Sequence, residues 1–158
     1  MYLSYKGTKP FLGLYLKLYI CSMDLIYTLH QTDDIAAQLV QQFASKPVWV
    51  FQAPMGAGKT TLIAAIGKAI GIQEAMSSPT FSIMNEYEIK GKLIYHMDWY
   101  RLENEAEARQ AGVEAAMEEA DMSLVEWPEK APNLVPEDAL VIHIEILDPD
   151  RRRIYSNQ

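Results

Sequence analysis

The stretch Val48-Trp49-Val50-Phe51-Gln52-Ala53-Pro54-Met55-Gly56-Ala57-Gly58-Lys59-Thr60-Thr61 constrains this chain more than any other. A short run of β-forming apolar residues feeds a glycine-containing loop, which opens directly into a helix-forming segment. That is the strand–loop–helix context a phosphate-cradling loop needs. Glycine lets successive backbone N–H groups turn inward around a phosphate, and the helix N-terminus adds the positive end of its dipole. Lys59 is placed to reach β- and γ-phosphates, and the Thr60 hydroxyl to ligate Mg2+. Met55, Gly56, Ala57, Gly58, Lys59, Thr60 and Thr61 are thus the candidate nucleotide-binding residues. The pattern G-x-x-x-x-G-K-[ST] would put glycine at 53, where this chain has alanine. Alanine is tolerable there if its φ is negative, and costs about 1 kcal/mol or more if it is not. A chance Gly-Lys-Thr in a surface loop is the alternative, and the flanking elements argue against it. The expected ligand is a nucleoside triphosphate.

With 158 residues, the chain has material for one domain with a single sizeable core. A net charge of −7 speaks against an extended grip on nucleic acid, because neutralising phosphates takes clustered Lys and Arg. The one dense basic run is Arg151-Arg152-Arg153. A single cysteine, Cys21, excludes an intrachain disulfide and a cysteine-built metal site. His30 and His143 have no partners at metal-ligand spacing, and His96, alone on a strand, reads as structural.

Residues 1–22 read unlike the rest. Lys6 and Lys9 precede an apolar run over 11–21 that superficially resembles a signal peptide, but Lys17 interrupts it and it is too short to span a membrane. They are expected to be an extension with little structure, or the product of a start placed too early, with Met23 as the functional start. Residues 23–158 then form the phosphate-binding domain, and the expected location is cytoplasmic.

Along that domain, 24–28 reads as a strand. Thr32-Asp33-Asp34 reads as a helix cap before Ile35, Leu39, Val40 and Phe43, which recur at helical spacing. A helix follows the glycine loop and closes at Gly71. Residues 82–89 and 93–98 read as strands joined by a Lys90-Gly91 turn. Asn104 and Glu107 resemble a capping box for a helix over 105–111, and a second short helix covers 113–119. Residues 122–125 form a compact strand, 128–138 a proline-rich loop, 139–147 a strand, and 151–155 an edge strand. The expected fold is a P-loop NTPase-like three-layer α/β domain whose mixed sheet has the glycine-loop strand at its centre.

Two acids stand at the carboxyl ends of apolar strands, Asp98 and Glu126, where ligands of open α/β sheets bind. Either suits placing Mg2+ and a water, although one acid at a strand end often merely faces solvent. Thr80, in the turn Ser78-Pro79-Thr80-Phe81, is a third candidate, able to set a hydroxyl beside the terminal phosphate as a switch segment does, with a surface turn as the alternative. Trp99 and Trp127, which flank the acids, read as packing residues.

Five motifs occur in order: the loop from Ala53 to Thr60, Ser78-Pro79-Thr80-Phe81, Glu86-Tyr87, His96-Met97-Asp98-Trp99-Tyr100-Arg101-Leu102 and Glu126-Trp127-Pro128-Glu129. Together they resemble the TsaE (YjeE) family of tRNA threonylcarbamoyladenosine biosynthesis, over residues 23–153. The resemblance implies Mg2+-dependent ATP binding and slow ATP hydrolysis in support of the TsaD and TsaB proteins, with tRNA contacted indirectly or weakly. It matches Lys59 and Thr60 to phosphate and magnesium positions, and Glu126 to a magnesium-side acid. Asp98 matches the acid of the His-x-Asp-x-Tyr-Arg motif, and Thr80 a switch-like threonine. Arg151 falls where the family places a nucleotide-contacting basic residue. Ala53-Pro54-Met55 stands where the family usually has Gly-Asp-Leu, and Trp99 where leucine is common. Two other functions compete. A P-loop small-molecule kinase would want several clamping arginines, yet residues 61–150 hold only Arg101 and Arg109. A non-hydrolytic, nucleotide-gated adaptor needs no base for water beyond the two acids.

Overall fold

A computed structural model of the chain describes residues 22–79 and 82–157. The expectations for 1–21 and for Thr80 therefore lie outside the described residues. Seven strands form one sheet: β1 (Asp24–Thr28), β2 (Val48–Gln52), β3 (Met84–Ile89), β4 (Lys92–Asp98), β5 (Met122–Glu126), β6 (Leu140–Ile146) and β7 (Arg151–Asn157). Their spatial order is β1-β7-β6-β2-β5-β4-β3, so β2 is the middle strand. It runs parallel to β5 and to β6, and β4 runs parallel to β5. The outer pairs β3–β4, β6–β7 and β1–β7 are antiparallel. The sheet is mixed, as expected.

Helices lie on both faces. α1 (Thr32–Phe43) and α2 (Lys59–Ile70) cover one, where Leu39, Leu62, Ile63 and Ile66 pack on Trp49, Phe51, Leu124 and Ile142. The shorter α3 (Glu105–Gln110) and α4 (Val113–Glu119) cover the other, where Ala108, Val113 and Ala116 meet Val50, Met97 and Val125. β2 therefore alternates between two cores, Trp49 and Phe51 to one side and Val48 and Val50 to the other. This explains why it reads as an unbroken apolar run: a parallel strand covered on both faces has no polar side.

The glycine turns do what their positions require. Lys90 (φ 52°) and Gly91 (φ 74°) are both left-handed, the geometry of a tight hairpin between β3 and β4. Gly71 (φ 104°) closes α2 with its N–H on the Gly67 carbonyl.

Three expectations need correction. α1 is not capped by Thr32: the helix starts at Thr32, whose hydroxyl donates backward to the Leu29 carbonyl at 2.7 Å, and Gln31 is the capping position. A 3-10 turn over Leu29–Gln31 runs directly into the helix and takes up the hydroxyl. Half of the Asn104–Glu107 box forms, with Glu107 N–H donating to Asn104 Oδ1, while the Glu107 carboxylate accepts from Glu103 N–H instead of Asn104 N–H. β7 is no edge strand: β1 pairs along its outer side, leaving β1 and β3 as the edges.

Candidate functional site

The loop between β2 and α2 adopts the shape its glycines permit. Gly56 (φ 77°) and Gly58 (φ 97°) are left-handed, and a Cβ at either would strain the backbone although it would meet no neighbour. Ala53 is not among the residues with positive φ, so alanine there carries no such strain. Leu62 N–H bonds to the Gly58 carbonyl at 2.9 Å, so the helix begins directly from the loop.

Parallel pairing brings the acids together. β4 and β5 run side by side in a register that sets Asp98 opposite Glu126, and β2 sets Phe51 opposite Glu126 on the other side. Both carboxylates thus stand at the strand ends from which the loop springs. They line one cleft of about 390 Å3 with Met55, Gly56, Gly58, Lys59, Thr60, Thr61, Tyr100 and Trp127.

Glu126 is buried to 2 % exposure and still carries hydrogen bonds. Thr60 Oγ1 lies 2.9 Å from Oε1 and 3.1 Å from Oε2, and His96 Nε2 lies 2.9 Å from Oε1. Asp98 is half-buried and accepts from Ser78 Oγ at 2.7 Å and from Tyr100 N–H at 3.0 Å. The Ser78 bond draws the segment after α2 onto the same cleft.

Lys59 is buried, with Nζ donating to the carbonyls of Ala53 (2.9 Å) and Pro54 (3.2 Å) and lying 3.9 Å from the ring centre of Trp127. Burial lowers its pKa, opposed by the negative charges of Glu126, Glu129 and Asp98. Trp127 holds this place through an unusual backbone: it is left-handed (φ 59°), the turn that carries the chain out of β5 into Pro128–Lys130. Its ring also packs on Tyr100, centre to centre 5.0 Å.

Of the residues singled out from sequence, the cleft gathers Met55, Gly56, Gly58, Lys59, Thr60, Thr61, Asp98 and Glu126. Ala57, within the loop, is fully buried. Arg151 is not in the cleft lining; it is exposed at the start of β7 and pairs with Asp148 at 2.7 Å. The basic residue that touches the loop is its neighbour: buried Arg152 donates from Nε to the Ala57 carbonyl at 3.1 Å and from Nη1 to the Asp148 carbonyl at 2.8 Å. Sequence reasoning missed Arg152, Ser78, Tyr100 and the part played by His96 and Trp127. A usable signal existed for His96, which lies two residues before Asp98 and so on the same face of its strand.

The oxygens gathered here suit a hard divalent cation. Mg2+ is commonly held by one or two carboxylates together with phosphates and waters, without a full protein cage. The Thr60 hydroxyl and Glu126 carboxylate in contact, with Asp98 one strand away, are donors of that kind. Among the described residues there is no group of three or more His, Cys, Asp or Glu that could hold a metal ion by itself.

Comparison with known proteins gives a consistent answer. The family model described as threonylcarbamoyl adenosine biosynthesis protein TsaE matches residues 26–154. The tRNA threonylcarbamoyladenosine biosynthesis protein TsaE of Haemophilus influenzae is 35 % identical over 114 residues, 72 % of each chain. Its Synechocystis counterpart is 40 % identical over 67 % of this chain and 69 % of its own. The crystal structure of Bacillus subtilis YdiB superposes with a TM-score of 0.69 at 28 % identity, covering 85 % of this chain and 84 % of the other. A glycine loop with its acids in this arrangement, and similarity running through nearly the whole domain, give one conclusion: the chain belongs to the TsaE family and has its P-loop NTPase-like fold.

Proposed function

We propose that this chain is a Mg2+-dependent ATPase of slow turnover that supports TsaD and TsaB in forming threonylcarbamoyladenosine on tRNA. The observation that carries the reading is the contact between the Thr60 hydroxyl and the Glu126 carboxylate at the mouth of the glycine loop, with Asp98 beside it. The named role of the relatives in tRNA threonylcarbamoyladenosine biosynthesis supports the pathway.

In this reading the loop N–H groups and the α2 N-terminus bind the phosphates. Lys59 leaves the Ala53 and Pro54 carbonyls for the β- and γ-phosphate oxygens. Thr60 and Glu126 would hold Mg2+, which supplies charge neutralisation across the phosphate oxygens when bound. Asp98, held by Ser78 and by the Tyr100 N–H, orients the attacking water. With a net charge of −7, the chain leaves most of the tRNA grip to its partners.

The test is ATP turnover with Mg2+, alone and with the TsaD–TsaB pair. Slow turnover that rises with the pair is expected, and turnover indifferent to the pair would detach the chain from that role. Lys59→Ala should lose productive nucleotide binding and lower kcat/KM about a hundredfold or more, the scale of removing a preorganised charge from a transition state. Normal affinity and turnover in that variant would overturn the P-loop assignment.

A further inference from the structure

The buried contact between His96 and Glu126 joins two parallel strands directly beneath the cleft. His96 is fully buried on β4, and its Nε2 sits 2.9 Å from Glu126 Oε1 on β5. A carboxylate only accepts, so Nε2 carries the proton and donates it. The other ring nitrogen, Nδ1, is buried with no hydrogen-bond partner among the described residues. An imidazole with one orphan nitrogen is a poor way to fill core space, because an unpaired buried polar atom costs stability that a leucine there would not lose. What the ring does provide is one directed donor.

Glu126 has a specific need for that donor. The terminal torsion of a glutamate is broad and roughly two-fold, so nothing intrinsic fixes the plane of its carboxylate. Thr60 Oγ1 approaches both oxygens, at 2.9 and 3.1 Å, and so does not by itself choose between them. His96 touches Oε1 alone. Oε1 is thus held by the buried His96 donor, and Oε2, approached only by the Thr60 hydroxyl at 3.1 Å, is the oxygen with remaining capacity for a cation or a water.

We propose that His96 is a positioning residue: by donating from Nε2 to Oε1 it fixes the plane of the Glu126 carboxylate and presents Oε2 to the metal–nucleotide complex. It touches neither nucleotide nor metal and acts through Glu126. The inference rests on the Mg2+–ATP reading for the use of Oε2, but not for the contact itself, and the experiment separates the two.

First, the full chain labelled with 15N-histidine is examined by NMR without nucleotide. A slowly exchanging Nε2–H of His96 is expected, displaced in Glu126→Ala; its absence would overturn the inference. Second, Mn2+ affinity is measured by electron paramagnetic resonance in the presence of a non-hydrolysable ATP analogue, for wild type, His96→Leu and His96→Gln. Leucine keeps the volume and loses the donor, whereas the glutamine amide reaches about as far as Nε2. The leucine variant should bind Mn2+ about tenfold more weakly, as when outer-shell partners of metal ligands are removed, and the glutamine variant should recover most of the loss. Wild-type affinity in His96→Leu would overturn the proposal, and so would equal weakening in both variants, which marks a packing role. Should His96→Leu not fold, His96→Asn, whose amide is too short to reach Oε1, takes its place with the same expectation. A wild-type protein that binds no Mn2+–nucleotide would overturn the ATPase reading and, with it, the proposed use of Oε2, while the NMR signal still decides the contact.

Discussion

The side chain of Arg152 shows how much can hang on one buried cation. It emerges from the buried face of β7 and donates to carbonyls from separate parts of the chain, Ala57 in the glycine loop and Asp148 in the β6–β7 turn, as well as to that of Arg151. Each is a charge-assisted bond, and removing the donor leaves the buried Ala57 carbonyl unpaired at a cost of about 1–3 kcal/mol, with a smaller loss at the half-buried Asp148 carbonyl. Arg152→Met should therefore lower stability by about 2–4 kcal/mol in urea denaturation and weaken nucleotide binding, because the loop loses its support from below. Lost stability with unchanged nucleotide affinity in the folded fraction would show that the bond does not shape the loop. Trp127 is the complementary case. Its left-handed backbone is unfavourable for a bulky residue, and the strain places an indole against Lys59 at the cleft wall.

At the scale of elements, the outer edge is where electrostatics is concentrated. Arg153 on β7 bridges Asp24 on β1, through two bonds of 2.8 Å, and Glu145 on β6 at 3.4 Å. Its guanidinium also lies over the Tyr155 ring, which stacks on His143. The hydrogen bond from Arg153 holds the Asp24 carboxyl below its ordinary value of 3.8. The folded form thus binds this proton less readily than the unfolded form. The pair's contribution is complete above the ordinary value and lost as pH falls through the lowered one. The pair is exposed, so the effect is small. Melting curves of wild type and Asp24→Asn should differ near neutral pH and converge in acid below about pH 4. A difference that persisted in acid would remove the ion pair as its source.

For the molecule as a whole, the cleft lies where both cores meet: α2 belongs to the first, the strand ends to both, and the Trp127–Tyr100 wall to the second. A ligand held between them binds only the folded chain and must stabilise all of it. On the proposed reading, Mg2+–ATP at a hundred times its dissociation constant adds about 2.7 kcal/mol. For a domain of this size that raises the melting temperature by roughly 5–12 °C. Lys59→Ala should show little of this shift, and a full shift in that variant would place the nucleotide elsewhere. Among the described residues no helix is long and apolar enough to cross a membrane.

Much of this was legible before any coordinates. The β2–loop–α2 unit, the hairpin at Lys90-Gly91, the helices at 105 and 113 and the central place of β2 are written in local pattern: apolar period, glycine position and turn chemistry act over a few residues. The two acids were legible because parallel strands present their carboxyl ends together. What remained out of reach was lateral. That β1 covers β7, that Arg152 and not Arg151 supports the loop, and that His96 meets Glu126 all depend on strand order and on which face a side chain takes. Sequence neighbours such as Arg151 and Arg152 are chemically alike, and the alternation of a strand sends one to solvent and the other into the core. Sequence alone determined the chemistry present at the loop; the tertiary structure decided which side chains reach it, because contacts between residues dozens of positions apart are set by packing the whole sheet.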